Sequence, residues 1–328
     1  MESKTLIHLD SVRKYFEFKE GFATNYIKAV DGISLDILAG ETFGLVGESG
    51  CGKSTLGRTI LRLYDKADGL VEFEGKDVYR LSSKELISLR RDMQIVFQDP
   101  LASLNPRKTI YQIIEEPLRF HGVKDRKERQ ARVHQAMEDV GLSPSVGNRY
   151  PHEFSGGQQQ RVGIARALIL KPKFIVCDEA VSALDVSVQA QVLNLLDQLK
   201  QEYHLTYLFI SHNLSVIRHV CDRIAVMYLG RVVELASTEQ IFSNPVHPYT
   251  RALISAIPIP DPDLRRSRIL LEGDLPSPAN PPSGCHFHTR CPEAKACCAE
   301  REPAYIMVEP GHYVACGSWQ APRKKPNI

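Results

Sequence analysis

The stretch GESGCGKST, residues 47–55, sets Gly47, Gly52, Lys53 and Ser54 at the spacing G-x-x-x-x-G-K-[ST]. Glycines let backbone N–H groups turn inward around a phosphate, and a helix opened by such a loop adds partial positive charge at its N-terminus. In that arrangement Lys53 reaches the β- and γ-phosphates of ATP and Ser54 ligates Mg²⁺, while Glu48, Ser49, Gly50, Cys51 and Thr55 complete the wrap. Far along the chain, FIVCDE (174–179) supplies the complement. Four apolar residues predict a buried strand that delivers Asp178 and Glu179 at its carboxyl end, where open α/β sheets bind ligands. Asp178 suits the metal, and Glu179 suits a general base for the attacking water.

A second stretch, FSGGQQQR (154–161), also resembles an anion-binding helix start. Ser155 caps the coming helix and Gly156 and Gly157 leave its N–H groups open. One chain therefore carries two cradles about a hundred residues apart.

The elements that must position these residues follow from pattern. TLIHLDSV, AVDGISLDI and ETFGLVG read as short strands separated by Gly and Asp turns. STLGRTILRLY reads as a helix, GLVEFEGKDV as a hairpin and MQIVFQ as a strand. Residues 104–150 turn helical, and QQQRVGIARALIL follows as a helix stopped at Pro172. Strands and helices then alternate through GRVVELA, which argues for a mostly parallel sheet. From Pro258 onward lie 12 of the 20 prolines, so an extension with little regular structure is expected over 257–328.

Composition sets limits. The 328 residues carry a net charge of +2 with acids and bases interspersed, so no nucleic-acid footprint appears. No apolar run approaches the roughly 18 residues of a membrane span, and no signal-peptide pattern opens the chain. A cytoplasmic location is expected, with any membrane role exercised through a partner. Five of the eight cysteines, Cys285, Cys291, Cys297, Cys298 and Cys316, crowd the extension, which reads more readily as a metal site than as disulfides.

The order GESGCGKST, Gln98, FSGGQ, FIVCDE, SALD and His212 resembles the ATPase subunit of ATP-binding cassette (ABC) transporters over roughly residues 5–256. FQDPLASLNPR, HPYTRAL and the cysteine-bearing tail look like the oligopeptide/dipeptide permease ATPases, closest to the second of the two such subunits those importers use. The resemblance implies an α/β P-loop NTPase fold with an N-terminal antiparallel β subdomain, a helical signature subdomain over about 100–165, and a cysteine-containing C-terminal extension. It also implies head-to-tail pairing, with Ser155, Gly156, Gly157 and Gln158 gripping the γ-phosphate held by the partner's glycine loop. Gln98 is then a sensor of Mg²⁺ and water, Asp185 a dimer contact, His212 a γ-phosphate contact beside Glu179, and Phe16, rather than Tyr15, the adenine platform.

Four cysteines, Cys285, Cys291, Cys298 and Cys316, follow C-x5-C-x6-C-x17-C and leave Cys297 over. Zinc, an iron–sulfur cluster and unliganded thiols are all open on spacing; the resemblance favours a 4Fe–4S cluster. The expected activity is ATP hydrolysis coupled to peptide import at the cytoplasmic face of the membrane. Expected partners are a second ABC ATPase in a heterodimer, two permease subunits and, indirectly, an extracytoplasmic binding protein. The rival readings are a soluble cassette ATPase acting on nucleic acid or ribosomes, and a non-hydrolysing regulatory subunit.

Overall fold

The computed structural model describes residues 4–21, 23–258 and 268–317. Residues 1–3, 22, 259–267 and 318–328 lie outside that description, and with them part of the expected proline-rich stretch.

β1 (Thr5–Glu20) and β2 (Ala23–Leu38) form an antiparallel hairpin, each strand 16 residues long. The two short strands expected there, over 5–12 and 29–37, are each extended toward the other, and irregularities in register are accommodated within them. Gly32, at φ 74°, is the extra residue between the pairs Val12↔Ile33 and Arg13↔Asp31. A bulge bends a strand without ending it. β3 (Thr42–Val46) enters the core, while β4 (Asp68–Phe73) and β5 (Lys76–Asp77) return to the hairpin in the order β2-β1-β4-β5.

The larger sheet holds β6 (Met93–Val96), β7 (Phe174–Asp178), β8 (Thr206–Ser211), β9 (Arg223–Tyr228), β10 (Arg231–Ser237), β11 (Tyr305–Glu309) and β12 (His312–Ala315), in the order β11-β12-β10-β9-β3-β8-β7-β6. From β9 to β6 the pairings are parallel. β3, β7 and β8 are buried along their whole length, which is why they read as apolar runs rather than alternations.

Helix α1 (Lys53–Ile60) follows β3 and stops earlier than its apolar pattern suggests, since Arg62 takes a left-handed backbone at φ 50°. After α2 (Ser83–Asp92) comes the helical region: α3 (Pro100–Ser103), α4 (Ile110–Phe120), α5 (Arg126–Asp139) and α6 (Gly156–Leu168). Ile110, Ile113, Ile114 and Leu118 on α4 pack with Val133 and Met137 on α5 in one buried cluster. α7 (Val186–Tyr203), α8 (Leu214–Val220), α9 (Thr238–Ser243) and α10 (Pro248–Ser255) complete the main body.

The extension departs from expectation. Most of residues 268–304 is irregular apart from α11 (Ala296–Glu300), but β12 joins β10 and makes the tail part of the central sheet. Phe287 and Val314 are fully buried. Pairing with an open sheet edge gives a proline-rich segment order that its own composition does not predict.

Candidate nucleotide site

Two glycines shape the loop between β3 and α1. A Cβ on Gly47 (φ 155°) would lie 2.1 Å from the Met227 carbonyl oxygen, and one on Gly52 (φ 104°) 1.9 Å from that of Ala29. Only glycine fits either place. The buried Lys53 amine donates to the carbonyl oxygens of Gly47 and Glu48 at 2.8 and 2.9 Å. No side chain caps α1, whose Lys53, Ser54 and Thr55 line a cleft of about 370 Å³ with Ser49, Gly50, Gly52, Gln98 and Glu179.

The end of β7 brings in the carboxylates. The Ser54 hydroxyl donates to Asp178 Oδ1 at 2.5 Å, and Arg58, a residue the motifs did not single out, donates to Oδ2 at 3.2 Å. Glu179 adopts φ 50°, an uncommon backbone for a non-glycine residue. Its N–H donates to the Ile210 carbonyl at 3.0 Å, which pins the turn. Gln98 Nε2 donates to Glu179 Oε2 at 3.1 Å, and His212 Nδ1 lies 3.2 Å from the same oxygen. Two residues distant in sequence, Gln98 and His212, thus converge on the Glu179 carboxylate, next along the chain to Asp178.

Phe16, on β1 opposite Ile27, also lines the cleft. Its ring meets Tyr64 edge-on at 5.4 Å, and Tyr64 accepts from Arg58 at 3.1 Å. Tyr15 is committed elsewhere: its phenol donates to Asp31 at 2.6 Å, and burial together with that carboxylate pushes its pKa up to about 12. Pro278, from the extension, lines the same cleft, and its carbonyl accepts from the Lys28 N–H. No local pattern in the sequence announces a contact of that range between the extension and the cleft.

Ser155, Gly156, Gly157 and Gln158 are not among the residues lining this cleft. Ser155 caps α6 in a reciprocal box with Gln158, and both Ser155 and Gly156 are exposed. Gly157 is hemmed in instead, since a Cβ there would lie 2.3 Å from Val188 Cγ1. Asp185, also exposed, caps α7 by accepting from the Val188 N–H at 3.0 Å; that bond and the Ser187 hydroxyl hold its carboxyl below the usual range.

The cysteines answer differently. Cys285, Cys291, Cys298 and Cys316 lie near enough for the other three to raise the Cys285 thiol electrostatically, although burial is the larger cause, and together they bring it to about 11. Cys297 stands exposed outside the group. Yet among the described residues no group of three or more His, Cys, Asp or Glu side chains is arranged to hold a metal ion. The metal centre expected on Cys285, Cys291, Cys298 and Cys316 thus has no arranged ligand set among the described residues.

Fold and cleft define an ATP-binding cassette ATPase. The ABC transporter family model matches residues 30–182, and that of the oligopeptide/dipeptide transporter C-terminal region matches 233–298. The oligopeptide transport ATP-binding protein AppF of Bacillus subtilis is 53% identical over 95% of this chain and 97% of its own. The corresponding OppF of Salmonella typhimurium is 54% identical over 92% and 93%. Among solved structures, the dimeric post-hydrolysis state of the cassette MJ0796 bound to ADP and Pi superposes with a TM-score of 0.63 at 32% identity, covering 71% of this chain and 99% of that one. The chain belongs to the ABC transporter ATP-binding proteins of the oligopeptide/dipeptide type. Among the described residues no helix is long and apolar enough to cross a membrane.

Proposed function

We propose that the chain is the ATP-hydrolysing, energy-coupling subunit of a peptide importer. The observation that carries the reading is the Glu179 carboxylate held between Gln98 and His212 beside a glycine loop. Glu179 takes the proton of the attacking water, Gln98 and His212 orient that water, and Lys53 moves from its loop carbonyls to phosphate oxygen. The Ser54 and Asp178 oxygens are the hard donors Mg²⁺ requires, and with Gln98 they are the residues that would hold it. Bound there, Mg²⁺ neutralises charge on the phosphates. The adenine stacks on Phe16.

The division into an ATPase unit over 1–256 and an extension over 257–328 belongs to this reading, as does the partner role of Ser155, Gly156, Gly157, Gln158 and Asp185. Their position outside the chain's own cleft supports it. The complex we infer holds a second, different ATPase subunit and two permease subunits at the cytoplasmic face of the membrane, fed by an extracytoplasmic binding protein. Leu101 on α3 and Phe120 at the end of α4 are exposed apolar side chains of the helical region that a permease could cover. A 4Fe–4S cluster on Cys285, Cys291, Cys298 and Cys316 is supported by the gathering of those thiols, not by their spacing. Iron and acid-labile sulfide analysis of anaerobically purified protein tests it.

The whole reading is tested by reconstituting the complex in vesicles. ATP-dependent peptide uptake that vanishes with Glu179→Gln is expected. Uptake independent of this subunit's ATP site overturns it.

A further inference from the structure

Glu48, the second residue of the glycine loop, is held by two residues from beyond the main sheet. Its backbone N–H donates to the phenol oxygen of Tyr249 on α10 at 2.9 Å. Its carboxylate Oε2 accepts from Arg290 Nη1 at 2.9 Å, across 242 positions of chain. The third polar group, its carbonyl oxygen, accepts from the Lys53 amine at 2.9 Å. That carbonyl also accepts from the Cys51 N–H at 3.3 Å, so every polar group of Glu48 has a partner, and two of the four partners come from chain beyond β10.

We propose that Arg290 and Tyr249 are positioning residues for ATP binding: they brace Glu48, and Glu48 sets where the Lys53 amine and the first turn of the loop stand. This rests on the reading of GESGCGKST as the nucleotide loop. Tyr249 is fully buried, its ring 4.8 Å from Tyr228 and 5.4 Å from Phe287. It is a fixed post rather than a mobile side chain. Arg290 lies between Cys285 and Cys291 in a turn whose backbone is tied by the His288 N–H to Cys285 O bond, so its guanidinium is delivered by a constrained loop. The ion pair is largely shielded, with side-chain exposures of 10% for Arg290 and 27% for Glu48, so solvent screens it less than a surface pair. A loop that must present backbone groups to phosphate before the ligand arrives binds more tightly when it is held in that form beforehand. Since the loop grips ground state and transition state alike, losing the brace weakens ATP binding and leaves turnover of bound ATP nearly intact.

The experiment uses the assembled transporter, measuring mant-ATP binding, KM for ATP and kcat. Arg290→Ala is expected to raise KM about fivefold with kcat changed by less than about twofold. Arg290→Lys should recover most of the loss, because a single donor makes the contact. Tyr249→Phe, which keeps the ring packing and removes only the acceptor, should raise KM likewise and serves if Arg290→Ala does not assemble. The control is Arg251→Ala. Arg251 pairs with Glu293 and also ties the extension to α10, but does not touch the loop. Its KM should stay at the parent value. If Arg251→Ala raises KM as much as Arg290→Ala, the effect is loosening of the tail and the brace is overturned. If Arg290→Ala and Tyr249→Phe both leave KM unchanged while Lys53→Ala abolishes mant-ATP binding, the brace fails and the nucleotide loop stands. If Lys53→Ala binds mant-ATP normally, both fall.

Discussion

The Ser54 hydroxyl and the Asp178 carboxylate meet at 2.5 Å, joining the first turn of α1 to the end of β7 across 124 residues. The parallel sheet makes this contact, since β8 lies between β3 and β7 and all three strands end on the same side. Asp178→Asn keeps the size and removes the charge. Mg²⁺-dependent hydrolysis should fall by on the order of a hundredfold, while ATP binding measured with EDTA stays near the parent value. Equal loss in both assays would remove Asp178 from the metal role.

Glu179→Gln should leave ATP binding intact and slow turnover by about 10²–10⁴-fold, the usual worth of a positioned general base. The amide can still be held by Gln98 and His212, so geometry is retained while basicity is lost. The assay is single-turnover hydrolysis in the assembled complex, with gel filtration to detect an ATP-trapped ATPase pair. Turnover near the parent rate would reassign the base.

Phe16→Ala should weaken ATP binding about tenfold, because base–aromatic stacking is worth roughly 1–3 kcal/mol. Tyr15→Phe should leave affinity alone and lower the unfolding midpoint, since the phenol bonds Asp31 and not the cleft. Isothermal titration of both variants decides. The reverse ranking would move the adenine platform.

Ser155→Arg should leave ATP binding to the isolated chain almost unchanged and block closure with a partner subunit. Lys53→Ala should do the opposite. Site-resolved photolabelling of an ATPase heterodimer with an azido-ATP analogue tests this: the two substitutions should silence different sites. Loss of the same site from both would reduce FSGGQ to a helix cap.

His247 is buried, and its pKa is lowered to about 4, chiefly by desolvation. Its Nδ1 accepts the Tyr249 N–H at 3.1 Å, which requires the neutral ring. The unfolded chain binds this proton at about 6.5. Stability therefore falls as pH drops from about 6.5 toward 4, by about 2 kcal/mol at pH 5. Glu234 and Arg251 act on the ring with opposite signs. Urea midpoints at pH 7 and 5 should differ in the parent and converge in His247→Asn. An unchanged difference would mean other groups carry it.

The cleft was legible because its chemistry sits in short contiguous words at strand ends: loop, acid pair, histidine. A buried strand such as FIVCD declares itself by its apolar run, and the direction of its end follows from parallel pairing. Pro278, Arg58 and Arg290 were not legible for the converse reason. Pro278 and Arg290 reach the site from far along the chain with no local pattern to mark them, and Arg58, one helical turn after Ser54 on α1, shows its part only through its bond to the distant Asp178. The hairpin β1–β2 is longer than its apolar patches suggest: strands were expected over 5–12 and 29–37, and the stretch between them, rich in charged residues, pairs as the rest of both strands. For the four thiols, spacing left zinc, a cluster and free thiols all open, because a run of cysteines in irregular chain carries no geometry of its own.

Glu234 on β10 is fully buried and accepts from the N–H groups of Val246 and His247, while His312 Nε2 lies 2.7 Å from its Oε1. β12, which carries His312, follows β10 by about 75 residues. At roughly 5–20 residues per second of synthesis, the sheet edge waits about 4–15 s for its last strand. Through that interval a raw edge and a half-paired carboxylate face the crowded medium of a nascent chain, a state open to strand pairing with neighbours. The tail thus acts in time as well as in space: ribosome stalling before residue 312 should leave aggregation-prone chains whose upstream residues are all present.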